Sequence, residues 1–143
     1  SPVFSLDHDQ EYLDIINQIN TKLSIGSIHV KKFSFGDSLP KADVITMGAL
    51  IHWVYSCTAL YGSFDNIFSY LNNSINKYLI IEWIDNDDRA IRYFGHTSHN
   101  KNIHVEEYNE VNFKNSLEKN IGNIMTMEPI SSTRNLYVVK KNN

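Results

Sequence analysis

The sequence predicts an α/β fold, with a mostly parallel, doubly wound sheet that ends in an antiparallel hairpin. Two near-continuous apolar runs, residues 42–54 and 77–85, have the composition of parallel strands that are buried on both faces. Between such runs, apolar residues recur with helical spacing, so strands and helices alternate along the chain. Both runs end in polar or aromatic residues, which is typical of strands whose carboxyl ends open into a ligand crevice.

Each element is predicted from a local pattern. Strands are expected at residues 2–7, 28–35, 43–47, 78–84, 123–130 and 135–140, in one sheet with an antiparallel strand at one edge. Helices are expected at about 10–23, 50–60, 64–71, 87–94 and 111–120. Asp9 is the expected N-cap of the first helix, which would turn Tyr12 and Leu13 towards the sheet. The short polar link between the last two strands indicates the hairpin.

Length, charge and cysteine usage restrict the class of protein. A chain of 143 residues can build one hydrophobic core, so we expect a single domain over residues 1–143. A net charge of −3 without long like-charge runs gives no footprint for nucleic acid or an anionic membrane, and it favours small-molecule partners. The lone Cys57 excludes an internal disulfide and favours a reducing, cytoplasmic setting. No apolar run is long enough to predict a membrane span.

The order of these elements resembles a known family. A strand before Asp7, a strand before Asp37, the stretch 42–52, a strand with Glu82 and the closing hairpin look like the second to seventh strands of a class I S-adenosylmethionine-dependent methyltransferase, a Rossmann-like fold. Residues 49–54, 80–88 and 95–96 are most similar to a bacterial group described as nodulation-protein-like methyltransferases. The resemblance implies S-adenosylmethionine as cofactor and a small molecule as methyl acceptor.

The same resemblance assigns cofactor-binding roles to residues at or just after the strand ends. These residues are Asp7, Asp37, Ser38, Met47, Gly48 and Ala49. Asp7 would accept both ribose hydroxyls and Asp37 the adenine amino group, because a carboxylate takes several donors. Gly48 would let the backbone approach the methionine arm. From the sequence alone, Asp37 remains equally interpretable as a turn residue and Met47 as a core residue.

Methyl transfer to a hydroxyl or ammonium group needs alignment, a dry pocket and a base. His52 is the first candidate base, because imidazole is uncharged near neutral pH. Glu82 is the second, because an ionisable group inside an apolar run is costly to bury without a partner. The residues expected to contact substrate are Trp53, Tyr55, Trp83 and His96. A structural role for His52, and core packing for the aromatic residues, stay open as alternatives.

No metal is predicted, although two stretches invite the interpretation. His96, His99 and His104 would bring three imidazoles to one ion, but loop histidines or a substrate lid explain them as well. The acidic stretch 85–88 is oxygen-rich, yet acids enriched at a helix N-terminus explain it without a ligand.

The chain also departs from the resembled family. Its six glycines form no GxG, whereas the family has a Gly-rich turn that holds the methionine carboxylate of the cofactor. We therefore expect a domain truncated at its N-terminus, with the missing element upstream of Ser1 or on a second chain or copy that completes the sheet; a degenerate domain that has lost the site is the remaining alternative. The 143 residues alone would then bind cofactor weakly or not at all. Two other functions remain: a non-catalytic Rossmann-like binding module, and a metal-dependent phosphoryl or glycosyl transferase that uses Asp7, His8 and Asp9.

Overall fold

The computed structural model describes residues 1–57, 62–94 and 105–142. The strands are β1 (Val3–Asp7), β2 (Ile28–Lys32), β3 (Ala42–Met47), β4 (Ile75–Ile84), β5 (Gly122–Ser131) and β6 (Arg134–Lys141). The helices are α1 (Gln10–Lys22), α2 (Ile51–Cys57), α3 (Phe64–Asn72), α4 (Arg89–Phe94) and α5 (Glu110–Asn120), with a 3₁₀ turn at Val105–Glu107. The chain divides into two units, Ser1–Ser38 and Leu39–Asn143. Within the described ranges, no helix combines the length and apolar character that a membrane span requires.

The first unit is a parallel pair, β1 and β2, connected by α1. The Asp9 carboxylate accepts a hydrogen bond from the Glu11 amide at 2.8 Å, which confirms the predicted N-cap. Leu13 is 2% exposed and anchors the helix, as predicted. Tyr12 is 59% exposed, so the prediction that it faces the sheet is wrong. Successive helical residues are about 100° apart around the axis, so a helix that turns Leu13 inwards turns the preceding residue, Tyr12, towards solvent.

The second unit contains a four-stranded sheet in the order β3-β4-β6-β5. β3 and β4 are parallel, and β6 runs antiparallel to both β4 and β5. The predicted hairpin is confirmed, but the prediction of an antiparallel strand at the edge is wrong, because β6 lies inside the sheet and β5 at its edge. Tyr137 and Val139 of β6 are buried, whereas Met125 and Ile130 of β5 are more than half exposed. Pro129 also suits an edge strand, since proline has no amide hydrogen to donate.

The prediction of one continuous sheet is wrong, because the described strands form two sheets that are not hydrogen-bonded to each other. β1 and β2 form a sheet of their own, and neither pairs with any strand of the second unit. β1 and β3 are therefore not hydrogen-bonded to each other.

One face of the second sheet carries the core. Leu79, Ile81 and Trp83 alternate along β4 and are at most 1% exposed. Phe64 of α3 and Phe113 of α5 pack against Trp83, with ring centroids 6.1 and 4.9 Å away. The opposite face is less buried: Val44 is 46% and Tyr78 is 37% exposed. The expectation that β3 and β4 are buried on both faces therefore holds for one face only.

Candidate functional site

The carboxyl ends of β3 and β4 meet at one edge of the second sheet. The two strands are parallel, with Met47 opposite Ile81, so the turn after β3 lies beside Glu82 of β4. The Ala49 amide donates to Glu82 Oε2 at 2.7 Å. A Cβ built on Gly48 would lie 3.6 Å from the same oxygen. The structure thus brings together Met47, Gly48, Ala49 and Glu82, which the sequence analysis had singled out separately.

Ala49 adopts a left-handed backbone conformation, with φ of +48°. This conformation costs a residue with a Cβ about 1–2 kcal/mol, because the Cβ crowds a carbonyl oxygen. The charge-assisted hydrogen bond from the Ala49 amide to Glu82 stabilises it. Glu82 therefore contacts the turn that leads from β3 to α2.

Arg134, at the start of β6, occupies the other oxygen of Glu82. Its Nη1 donates to Glu82 Oε1 at 3.2 Å, while Nε and Nη2 donate to the two oxygens of Asp88 at 2.8 and 3.0 Å. Arg134 is not among the residues predicted from the sequence, and Asp88 was predicted only as part of the acidic stretch 85–88, where its hydrogen bond from the Ala90 amide fits the helix N-terminus interpretation. The strand register accounts for the contact between Arg134 and Glu82. Because Glu82 pairs with Leu136, residue 134 lies diagonally across from Glu82 on the same face of the sheet.

Asp88 is the most enclosed charge of this group, with a side chain 7% exposed. It also accepts hydrogen bonds from the Thr133 hydroxyl at 2.6 Å and the Ala90 amide at 2.8 Å. The Arg134 guanidinium holds the pKa of Asp88 well below its usual value, and Asp88 in turn raises the pKa of Arg134. Two carboxylates share one guanidinium, so the group carries a net charge of −1 at the strand ends.

α2 carries three of the predicted site residues. His52 is 4% exposed, its backbone carbonyl accepts the Ser56 hydroxyl, and its ring lies 5.5 Å from the ring of Trp53. Trp53 is 36% exposed. Tyr55 is buried against Phe64, and burial, together with the charge of Glu107, raises the pKa of Tyr55 to about 12. The tyrosine hydroxyl therefore stays protonated at neutral pH.

Trp83 belongs to the core. It is 1% exposed and stacks on Tyr108 at 4.8 Å. Its indole N–H has no hydrogen-bond partner in the part of the chain that the structure describes. The core-packing alternative accounts for this position of Trp83, and its contact with substrate stays a prediction. His96, together with His99 and His104, lies outside the described residues.

In the first unit, the predicted cofactor residues have local partners. Asp7 Oδ1 accepts the Asp9 amide at 2.9 Å and lies 3.2 Å from Nδ1 of His8. Asp37 Oδ2 accepts the Ser34 amide at 3.0 Å and closes a turn in which Gly36 has φ of +113°. Ser38 is exposed. The turn interpretation of Asp37 is thus confirmed locally, while its role towards adenine stays a prediction.

The described residues contain no group of three His, Cys, Asp or Glu side chains arranged to hold a metal ion. In the stretch Asp7, His8 and Asp9, one oxygen of Asp9 accepts the Glu11 amide at the helix cap. A pocket of about 240 Å³ lies elsewhere in the second unit, beside Tyr55, Asp65, Glu107 and Lys119. Of the predicted site residues, Tyr55 lines it and the turn at Gly48 does not.

The fold is that of known methyltransferases. The structure is similar to magnesium protoporphyrin IX methyltransferase from Synechocystis PCC 6803, solved with SAH and with SAM (14% identity in both; TM-scores 0.68 and 0.67; 99% of this chain, 65% and 60% of that chain). It is also similar to a SAM-dependent methyltransferase from Aquifex aeolicus (16% identity, TM-score 0.65, 99% of this chain, 69% of that chain). A third is an O-methyltransferase family 2 protein from Planctomyces limnophilus, solved with apigenin (14% identity, TM-score 0.68, 99% and 43%).

These identities establish the fold alone. The chain spans 65% of the length of the Synechocystis enzyme in its complex with SAH. No protein-family model matches the chain, and no curated protein matches it.

Proposed function

We propose that this protein binds S-adenosylmethionine and transfers its methyl group to a small molecule. The observation that carries the proposal is the turn at Gly48 and Ala49, which follows β3 at the carboxyl ends of two parallel strands and is held by Glu82 at 2.7 Å. In open α/β sheets, ligands bind at this edge. The fold shared with S-adenosylmethionine-dependent methyltransferases supports the same reaction.

The residue types suit the cofactor. Gly48 has no side chain, so the backbone there can lie against a ligand, and the buried Met47 supports the turn from below. In the first unit, Asp7 ends β1 and Asp37 lies in the turn after β2. A carboxylate can accept about four hydrogen bonds. Asp7 is therefore proposed for the ribose hydroxyls, and Asp37, next to Ser38, for adenine.

When bound, S-adenosylmethionine would supply a methyl group. The acceptor atom would form a bond to the methyl carbon while the bond between that carbon and sulfur breaks, and the electrons of the broken bond would return to sulfur. His52, buried at the start of α2, is proposed as the base that takes the proton of the acceptor. Glu82 is the weaker candidate for a base, because both of its oxygens already accept hydrogen bonds. Trp53, beside His52 and partly exposed, is proposed to contact the acceptor.

Calorimetry on the complete protein tests the proposal. We expect it to bind S-adenosylmethionine and S-adenosylhomocysteine, and Asp7→Ala to weaken both by roughly tenfold or more, since a hydrogen bond to a charged group contributes about 1.5–3 kcal/mol. Asp43→Asn is the control, because Asp43 pairs with Lys77 near the amino ends of β3 and β4, away from the turn at Gly48. No binding at millimolar concentration would overturn the proposal. Binding of nucleotide sugars with divalent cations would instead support the transferase alternative.

The catalytic assignment is tested with labelled S-adenosylmethionine and a panel of small hydroxyl and amine acceptors. His52→Gln is expected to lower kcat by about 10²–10⁴ with little change in cofactor KM, as for a lost general base. His29→Gln, an exposed histidine of β2, is the control. An unchanged kcat in His52→Gln would remove His52 from the mechanism and leave cofactor binding to be judged by calorimetry.

We also propose that a strand from a second copy or a second chain pairs with the outer edge of β3. In the described residues β3 pairs with β4 alone. An unpaired row of backbone donors and acceptors favours the addition of another strand. Sedimentation velocity measures whether the protein associates.

A further inference from the structure

Arg134 is the residue of this edge of the sheet that no sequence pattern indicated. We propose that Arg134 is a positioning residue for the cofactor-binding turn at Gly48 and Ala49, and that it acts through Glu82. The inference rests on the proposed function for the identity of the ligand, but the contacts that carry it belong to the protein itself.

The first step is that Asp88 fixes the guanidinium. Nε and Nη2 of Arg134 form a fork on the two oxygens of Asp88, at 2.8 and 3.0 Å. Thr133 and the Ala90 amide hold the same carboxylate at 2.6 and 2.8 Å, so the carboxylate cannot turn freely. A planar fork on a fixed carboxylate has one orientation. In that orientation Nη1 points at Glu82.

The second step is that Arg134 fixes Glu82. Nη1 donates to Oε1 of Glu82 at 3.2 Å, and the Ala49 amide donates to Oε2 at 2.7 Å. The Glu82 side chain as a whole is 13% exposed. Two donors on opposite oxygens leave the carboxylate one position, which is the position that reaches the turn.

The third step is that Glu82 fixes the turn. Ala49 has φ of +48°, a conformation that residues with a Cβ seldom adopt unless their surroundings hold them there. The hydrogen bond from its amide supplies that restraint. The same guanidinium also binds Asp88, in the segment before α4. A second contact holds this segment to the start of β6, since the Asp85 amide donates to the Thr133 carbonyl at 2.9 Å. Arg134 thereby couples the turn after β3 to the segment after β4.

The chemistry requires arginine. A lysine ammonium is a point charge on a flexible stem and cannot hold a fork on Asp88 while it donates to Glu82. Glutamine at position 82 offers one acceptor and one NH₂ group, so it can serve either Ala49 or Arg134 but not both. Arg134→Lys and Glu82→Gln are therefore informative variants that keep the size of each side chain.

The experiment combines two measurements on the complete protein: affinity for S-adenosylhomocysteine by calorimetry, and the NMR shift and hydrogen exchange of the Ala49 amide. We expect Arg134→Gln to weaken affinity by roughly tenfold and to speed exchange at Ala49. Arg134→Lys should also weaken affinity and speed exchange at Ala49, and it should lower the stability of the fold less than Arg134→Gln does. Combining Arg134→Gln with Glu82→Gln should weaken affinity no further than Glu82→Gln alone, because one chain of contacts is broken either way.

Lys77→Gln is the matched control, since Lys77 pairs with Asp43 at 2.6 Å in a more exposed ion pair away from the turn. It should leave affinity and the Ala49 amide unchanged. If Arg134→Lys folds and leaves both readouts at their wild-type values, the proposal is overturned and Arg134 has a purely structural role. Additive losses in the double variant would likewise overturn a route through Glu82. If the wild type binds no S-adenosylhomocysteine, the proposed function fails, and the Ala49 amide alone decides the positioning role.

Discussion

Two carboxylates of the second unit, Asp65 and Asp88, perform similar tasks in different surroundings. Asp65, in the first turn of α3, accepts hydrogen bonds from Lys119 and Ser116 of α5, both at 2.5 Å. Asp88, before α4, accepts them from Arg134, the first residue of β6, and from Thr133 immediately before it. Each carboxylate thus joins segments that are far apart in sequence.

The difference is exposure and geometry. The side chain of Asp65 is 45% exposed and that of Lys119 is 68% exposed, against 7% for Asp88 and 29% for Arg134. An exposed ion pair gains little, because water and salt screen it, whereas a shielded carboxylate becomes a burden when its partner is removed. The ion pair of Asp88 and Arg134, at the strand ends, therefore holds a fixed geometry, whereas the ion pair of Asp65 and Lys119, between α3 and α5, stabilises the contact of the two helices only weakly.

The largest effect is expected from removing the shielded carboxylate. Asp88→Ala should lower the free energy of unfolding by about 2–4 kcal/mol, because it leaves the guanidinium without its fork and the Ala90 amide without its acceptor. Urea unfolding at pH 7 measures the change. A loss below about 0.5 kcal/mol would show that the contrast with Asp65 is not one of stability.

Acid should act through the same residue. The folded-state pKa of Asp88 is depressed by Arg134, so its contribution to stability is complete above the unfolded value of about 3.9 and is lost as pH falls through the folded value. The wild type should therefore lose stability below about pH 4, and Asp88→Asn should lose less over the same range. Urea midpoints at pH 7 and pH 3 for both proteins give the comparison. Parallel decreases in the two proteins would contradict it.

The smallest effect is expected at the exposed cluster. Asp65→Ala should cost about 1 kcal/mol or less, mainly from the hydrogen bonds to Ser116 and Asn120, since the Lys119 pair is screened. The loss should shrink little in 1 M salt, because the hydrogen bonds are less salt-sensitive than the ion pair. Thermal unfolding at low and high salt separates the two contributions. A cost as large as that of Asp88→Ala would remove the distinction drawn between the clusters.

The strands and the turn after β3 were predictable because their signals are local. The apolar runs ending at Met47 and Ile84 define two strands, and parallel pairing places the turn at Gly48 beside Glu82. Asp9 was predictable as a cap from its position before a periodic run. These inferences need nothing beyond the chain within a few residues, together with one rule on parallel sheets.

The rest depended on strand order, which is not local. Arg134 and Asp88 meet because β6 lies between β4 and β5, and the hairpin pattern alone does not say which of its strands joins β4. Trp83 faces the helices because the alternation along β4 puts odd-numbered residues on the covered face. The sequence alone therefore could not distinguish a Trp83 that contacts a ligand from a Trp83 that packs in the core.

The edge strand β5 has a consequence for the behaviour of the protein in concentrated solution. Its pairing with β6 shifts register between Ile124 and Thr126 and again between Pro129 and Ser131, and Pro129 has no amide hydrogen to donate. Such an edge is a poor template for further strands, even though Met125 and Ile130 are exposed on it. The irregular backbone of β5 thus protects this side of the sheet from fibrous aggregation.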